Sequence, residues 1–127
     1  MLKPNAYEKI DYRPWGHFKQ YSTESGITLK EITVLPGKRL SLQSHKLRDE
    51  KWIFVGPKFH VELTESRSPL DITTLLSPDP GDVIDIPRGW KHRLENTGAE
   101  IGHIIEIAYG KFLEDDIERF DDDYGRV

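Results

Sequence analysis

The sequence predicts an all-β fold, a sandwich or barrel of short strands, closed by one short helix at the C-terminus. Two observations carry this. Short apolar segments recur along the chain, each ending in a Gly or Pro turn signal, as closed β architectures require. The one stretch with helical periodicity comes after the last of them.

The elements follow in order. GITLKEITVLPG (26–37) sets Ile27 and Leu29, then Ile32 and Val34, at strand spacing and closes on Pro36-Gly37. KWIFVGPKFHVELTES (51–66) is two strands around Gly56-Pro57, which reads as a hairpin. PLDITTLLSPDPGDVIDIPRG (69–89) supplies two more strands, divided by Pro78, Pro80 and Gly81. IGHIIEIAYG (101–110) is the last clear strand. Beyond it Leu113, Ile117, Phe120 and Tyr124 fall at i, i+4, i+7 and i+11, one apolar stripe on a charged segment, so a helix is expected there. No repeat or linker interrupts the chain, and residues 1–127 are expected to form one domain.

Composition narrows the class. With 36% hydrophobic and 31% charged residues, the 127-residue chain suits a soluble globular protein. No apolar run reaches the roughly 18–20 residues that cross a bilayer, and the first residues lack an apolar export core, so a cytoplasmic protein is expected. The absence of cysteine excludes disulfides, thiolate zinc sites and cysteine nucleophiles. Of 22 acidic residues, seven lie in EDDIERFDDD (114–123), which reads as the solvated face of the helix. The remaining body is near neutral, without the basic face that nucleic-acid binding needs.

Two spacings point to a metal. In GDVIDIPRGWKHRLEN, Gly81, Pro87, Gly89, His92 and Asn96 match all five fixed positions of the second cupin motif. At ordinary residue frequencies, chance gives on the order of one such match in tens of thousands of chains this size. The first cupin motif is similar to GKRLSLQSHKLRDEKWIFVG, with Gln43 where its first histidine usually stands, then His45, Glu50 and Gly56. Side chains two apart on a strand share a face, so Gln43 and His45 point the same way. Glu50 has the opposite parity, so an irregularity at KLRD must turn it inward. Two imidazoles, a carboxylate and an amide oxygen suit zinc first, and manganese, iron, cobalt or nickel as well. His17, His60 and His103 fit no such spacing and read as ordinary hydrogen-bonded residues.

The chain resembles the type II mannose-6-phosphate isomerase family of cupins, known as the C-terminal domain of bifunctional mannose-1-phosphate guanylyltransferases. The resemblance rests on RPWG (13–16), ITVLPGKRLSLQSH (32–45), the Arg48, Glu50, Trp52 pattern, IPRGWKHRLEN (86–96) and the DDIERF…YGR ending. It implies a single-domain jelly-roll barrel, or double-stranded β-helix. It also implies one divalent ion, zinc foremost, on Gln43, His45, Glu50 and His92. Lys46, Leu47 and Lys51 stand where the family typically has histidines, and Ala108 where it has a glutamine.

The implied reaction interconverts mannose 6-phosphate and fructose 6-phosphate for GDP-mannose and polysaccharide synthesis. Glu106 is the expected base, and Arg48 and Arg93, beside the ligands, are expected to bind substrate. No Gly-rich nucleotide segment is present, so nucleotidyl transfer is not expected of this chain. A sugar-binding or structural cupin with a degenerate metal site is the alternative reading. A small-molecule sugar phosphate is the expected partner, neither nucleic acid nor membrane is, and cupin edge strands make a homodimer the expected assembly.

Overall fold

The computed structural model describes residues 7–22, 26–66, 69–113 and 115–127. Eleven strands form in chain order: β1 (Tyr7–Arg13), β2 (Gly16–Ser22), β3 (Ile27–Val34), β4 (Leu42–Ser44), β5 (Arg48–Gly56), β6 (Phe59–Ser66), β7 (Asp71–Leu76), β8 (Val83–Ile86), β9 (Lys91–Asn96), β10 (Gly102–Gly110) and β11 (Glu118–Asp121). They pair antiparallel in two sheets, ordered β1-β2-β3-β10-β5-β8 and β11-β4-β9-β6-β7. This is the expected all-β jelly roll.

Strand alternation decides what faces the space between the sheets. On β5, Arg48, Glu50, Trp52 and Phe54 are buried in turn; on β10, Ile104, Glu106 and Ala108 are. β3 contributes Ile32 and Val34 to the core, so Ile27 and Leu29, of opposite parity, lie on its other face. Trp15, Phe59, Val61, Leu63, Ile86 and Leu94 complete the apolar part. Each such side chain contributes roughly 1.5–3 kcal/mol by leaving water. Two glycines allow close approaches. A Cβ on Gly16 would lie 2.0 Å from the Thr33 carbonyl oxygen, and one on Gly102 would lie 2.5 Å from the Phe59 ring.

Two sequence expectations are corrected. Gly56-Pro57 does not close a hairpin: β5 pairs with β10 and β8, whereas β6 pairs with β7 and β9 in the other sheet. The turn is a corner between sheets, because β10 and β8 occupy both edges of β5 while β9 and β7 occupy both edges of β6. The expected C-terminal helix is absent among the described residues, and β11 adds instead to the edge of β4. Long-range charge pairs favour that arrangement. Asp121 lies 2.9 Å from Arg93 and Asp123 2.8 Å from Arg39, while Asp122 pairs within its own segment with Arg126 at 2.8 Å. These acids therefore grip arginines rather than forming a solvated helix face. Among the described residues no helix is long and apolar enough to cross a membrane.

Candidate metal centre

The bend expected at KLRD is where the chain changes sheets. β4 ends at Ser44, Lys46 and Leu47 are exposed, and β5 begins at Arg48 in the opposite sheet. Gln43 and His45 therefore approach from one sheet and Glu50 from the other. His92 comes from β9, the neighbour of β4, where Gln43 is its register partner. One ligand atom each from His45, Glu50 and His92 lies within 4.8 Å of the others, and all three side chains are buried.

Each imidazole is oriented by a backbone carbonyl. His45 Nδ1 donates to the Asp116 carbonyl oxygen at 2.7 Å, and His92 Nδ1 donates to that of Trp90 at 3.1 Å. With the proton held on Nδ1, each neutral ring turns its Nε2 lone pair towards Glu50, at 3.7 Å for His45 and 3.2 Å for His92. His92 packs edge-on against Trp52, ring centroids 5.4 Å apart. Burial pushes the His45 imidazole down to about 4, against the pull of Glu50, so it is neutral at pH 7. Burial raises Glu50 too, but a proton or cation shared with His92, and then the guanidinium of Arg48, outweigh it and hold the carboxyl below its usual range.

His92 Nε2 and Glu50 Oε1 are buried without a hydrogen-bond partner. Two acceptors facing each other at 3.2 Å need a proton or a cation between them. The donor set, two nitrogens and a carboxylate, fits a divalent ion. Gln43 stands beside it with its amide turned. Ser41 Oγ donates to Gln43 Oε1 at 2.7 Å, leaving Nε2 3.4 Å from His45 Nε2. Because a hydroxyl both donates and accepts, rotating the amide keeps the Ser41 bond and presents the oxygen instead.

Gln43, His45 and Glu50 open onto a cavity of about 210 Å³, with His92 behind them and Arg48 and Glu106 also on its wall. Glu106 Oε1 accepts the Trp52 indole proton at 3.0 Å, and Lys30 lies 3.9 Å from Oε2. Burial, then the charge of Glu50, raises Glu106, while burial lowers Lys30, so both lean towards their neutral forms. Arg48 is on the wall, but its guanidinium serves the protein. Nε donates to Glu50 at 3.1 Å, Nη2 to His45 Nε2 at 3.3 Å and Nη1 to the Leu113 carbonyl at 3.4 Å.

Arg93 does not reach the cavity. It points away from His92, donates to the Leu40 and Asp121 carbonyls at 3.0 and 3.1 Å and pairs with Asp121. Lys46 and Leu47 are exposed, and Lys51 pairs with Asp85 at 3.4 Å, so these family departures lie outside the site. Sequence reasoning missed four cations of the wall: Arg13, Lys30, Arg119 and Arg126. Lys30 shares the inward parity of Ile32 and Val34, a signal that was legible. The helical assignment hid Arg119.

A two-sheet jelly roll with imidazoles and a carboxylate converging inside it is a cupin with a candidate metal centre. Solved cupins superpose on it. Oxalate decarboxylase from Bacillus subtilis gives a TM-score of 0.78 at 14% identity, covering 88% of this chain and 30% of its own. The capsular polysaccharide assembling protein CapF from Staphylococcus aureus gives 0.75 at 22%, covering 89% and 32%. At such identities they show the fold alone.

The chain belongs to the mannose-6-phosphate isomerase C-terminal family, which matches residues 3–122. It is 42% identical over 117 residues to the alginate biosynthesis protein AlgA of Pseudomonas aeruginosa, covering 91% of this chain and 23% of that one. It is 38% identical to the mannose-1-phosphate guanylyltransferase ManC of Salmonella typhimurium, again over 91% and 23%. The chain thus spans about a quarter of the length of these relatives.

Proposed function

We propose that this cupin is a metal-dependent isomerase of sugar phosphates, interconverting mannose 6-phosphate and fructose 6-phosphate. The observation that carries the reading is the buried, unpartnered pair of His92 Nε2 and Glu50 Oε1 beside a cavity that also exposes Glu106. His45, Glu50 and His92 would hold the ion, with Gln43 joining once its amide turns. A divalent ion there supplies Lewis-acid stabilisation of negative charge on the sugar oxygens.

The chain's own residues handle the proton. Glu106 takes it from C2 of the aldose and returns it to C1 of the enediolate while the O2 hydroxyl proton passes to O1, and burial gives its carboxylate the raised proton affinity that suits a base. The Trp52 indole fixes the orientation of that carboxylate. Arg48, occupied by Glu50 and His45, positions both ligands. The name of one relative, the alginate biosynthesis protein AlgA, supports a role in polysaccharide biosynthesis.

A second reading rests on Arg48. Its guanidinium already satisfies Glu50 Oε2 and His45 Nε2, which a protein that uses the pocket to bind a sugar without metal would require. One experiment separates the two. Purified protein is loaded with zinc, manganese or cobalt, its metal content measured, and fructose 6-phosphate formation from mannose 6-phosphate followed. The isomerase reading expects turnover that chelator abolishes and that Glu106→Gln reduces roughly 10²- to 10⁴-fold. A metal-replete protein that leaves sugar phosphates unchanged sinks it.

A further inference from the structure

RPWG and the DDIERF…YGR ending, two segments of the family resemblance, contain none of the proposed metal ligands. The fold brings one arginine of the first and two of the second to the same cavity. Arg13 ends β1, Arg119 lies in β11, and Arg126 follows it; all three line the cavity that His45 and Glu50 share. Arg119 is the register partner of Gln43 across β11 and β4, so the two side chains leave their strands on one face.

The three guanidiniums are not equivalent. Arg13 has a carboxylate of its own: Nη2 donates to Asp11 at 3.0 Å, and Nε, though it makes no hydrogen bond, lies 3.0 Å from the same carboxylate. Arg126 is held by both oxygens of Asp122, at 2.8 and 3.0 Å. Arg119 has neither. Among the described residues it makes no side-chain hydrogen bond or ion pair, and its Nε is buried without a partner. Burial, Arg126 and Arg13 all disfavour its charge, and Asp122 only partly offsets them. A guanidinium stays protonated in proteins, so a half-buried Arg119 with its Nε turned out of water is served best by an anion entering the cavity. The other two cations of the wall are engaged, Lys30 by Glu106 and Arg48 by Glu50. Arg119 is the surplus charge of this cavity.

We propose that Arg119, flanked by Arg13 and Arg126, is the phosphate subsite of the cavity, binding the phosphate monoester of a sugar phosphate whose hydroxyls face His45, Glu50 and His92. The assignment rests on the sugar-phosphate reading above and replaces Arg93 as the group that meets the phosphate. The planar fork of Arg119 matches phosphate oxygens in bidentate fashion, and the two paired neighbours add positive potential while their carboxylates keep them in place. At about 210 Å³ the cavity falls below the range of drug-sized ligand pockets and suits a small polar substrate.

The test is calorimetric titration of the metal-loaded protein with inorganic phosphate, mannose 6-phosphate and mannose, alongside thermal melts. Arg119→Gln is expected to weaken mannose 6-phosphate and phosphate binding roughly 10- to 100-fold, the worth of charge-assisted bonds to a buried anion. Mannose binding and zinc affinity stay unchanged, and Arg119→Lys falls between. Without phosphate, Arg119→Gln melts at or above the wild-type temperature, because an unpartnered charge is removed. Arg39→Gln, whose arginine serves Asp123 outside the cavity, leaves phosphate binding unchanged. Wild-type affinity of Arg119→Gln for mannose 6-phosphate overturns the assignment, as does its failure to fold or the absence of phosphate binding by the wild type. Phosphate binding through Arg119 without turnover removes the isomerase reading and leaves this subsite standing. Turnover with an unchanged KM in Arg119→Gln does the reverse.

Discussion

Asp116 accepts the His45 Nδ1 proton on its carbonyl oxygen at 2.7 Å, while its carboxylate accepts the Lys46 and Leu47 amide protons, each at 3.0 Å. One residue of the segment after β10 thus fixes both the tautomer of His45 and the bend that carries the chain between sheets. Removing its carboxylate leaves two amides to water and loosens that bend. Asp116→Ala is expected to lower stability by about 1–2 kcal/mol and weaken metal affinity severalfold, read by denaturant melts and metal titration. Unchanged metal affinity would separate the bend from the site.

Among the described residues, Glu50 supplies the carboxylate of the candidate centre. Glu50→Gln keeps its shape, removes its charge and leaves Arg48 facing an amide. Zinc affinity is expected to fall by about tenfold or more, and the melting temperature to stop responding to zinc. In the wild type, zinc at 100 times Kd adds about 2.7 kcal/mol of stability. A zinc-dependent shift that survives in Glu50→Gln places the ion elsewhere.

Asn96, the last fixed residue of the second motif, works in the frame rather than in the chemistry. Its Nδ2 donates to the Val34 and Glu100 carbonyls at 2.9 and 2.8 Å, and its Oδ1 accepts the Gly98 amide at 2.9 Å. The side chain is fully buried, so truncation strands three backbone groups. Asn96→Ala is expected to cost about 3 kcal/mol or more in equilibrium unfolding, with metal affinity of the folded fraction unchanged. A loss under 1 kcal/mol contradicts the role.

The Arg126 bond holds Asp122 at about 2, below its ordinary 3.8, with burial opposing. A carboxyl depressed in the folded state stabilises above its unfolded pKa, and that contribution disappears as pH falls through the folded value. The wild type should therefore exceed Asp122→Asn by on the order of 2 kcal/mol above about pH 4 and lose that advantage by about pH 2. Stability curves of the two proteins against pH decide it. Parallel curves would show that the pair contributes nothing.

Local pattern carried much of this protein. Alternation and turn residues place most of the strands, because the two-residue period of a β-strand is written in neighbouring side chains. The second motif is legible for the same reason. Gly81 and Gly89 take positive φ, 92° and 88°, and Asn96 pins its turn, so its spacing reports local backbone geometry that few residues satisfy. With the first motif it named Gln43, His45, Glu50 and His92 from sequence alone.

Tertiary structure decided what depends on partners distant in the chain. Whether β5 turns back on itself or crosses to the other sheet depends on β10 and β9, which compete for its edges and those of β6. The apolar stripe of Leu113, Ile117 and Phe120 satisfies helical spacing, yet the free edge of β4 and the charges of Arg39 and Arg93 draw the segment into a strand. Arg48 and Arg93 neighbour ligands in sequence and yet are occupied by protein acceptors, while Arg119, 27 residues beyond His92, has no side-chain partner among the described residues and lines the cavity. Periodicity tells which face a side chain takes; only the assembled sheets tell which charges meet there, because ion pairs form across space and leave no local period.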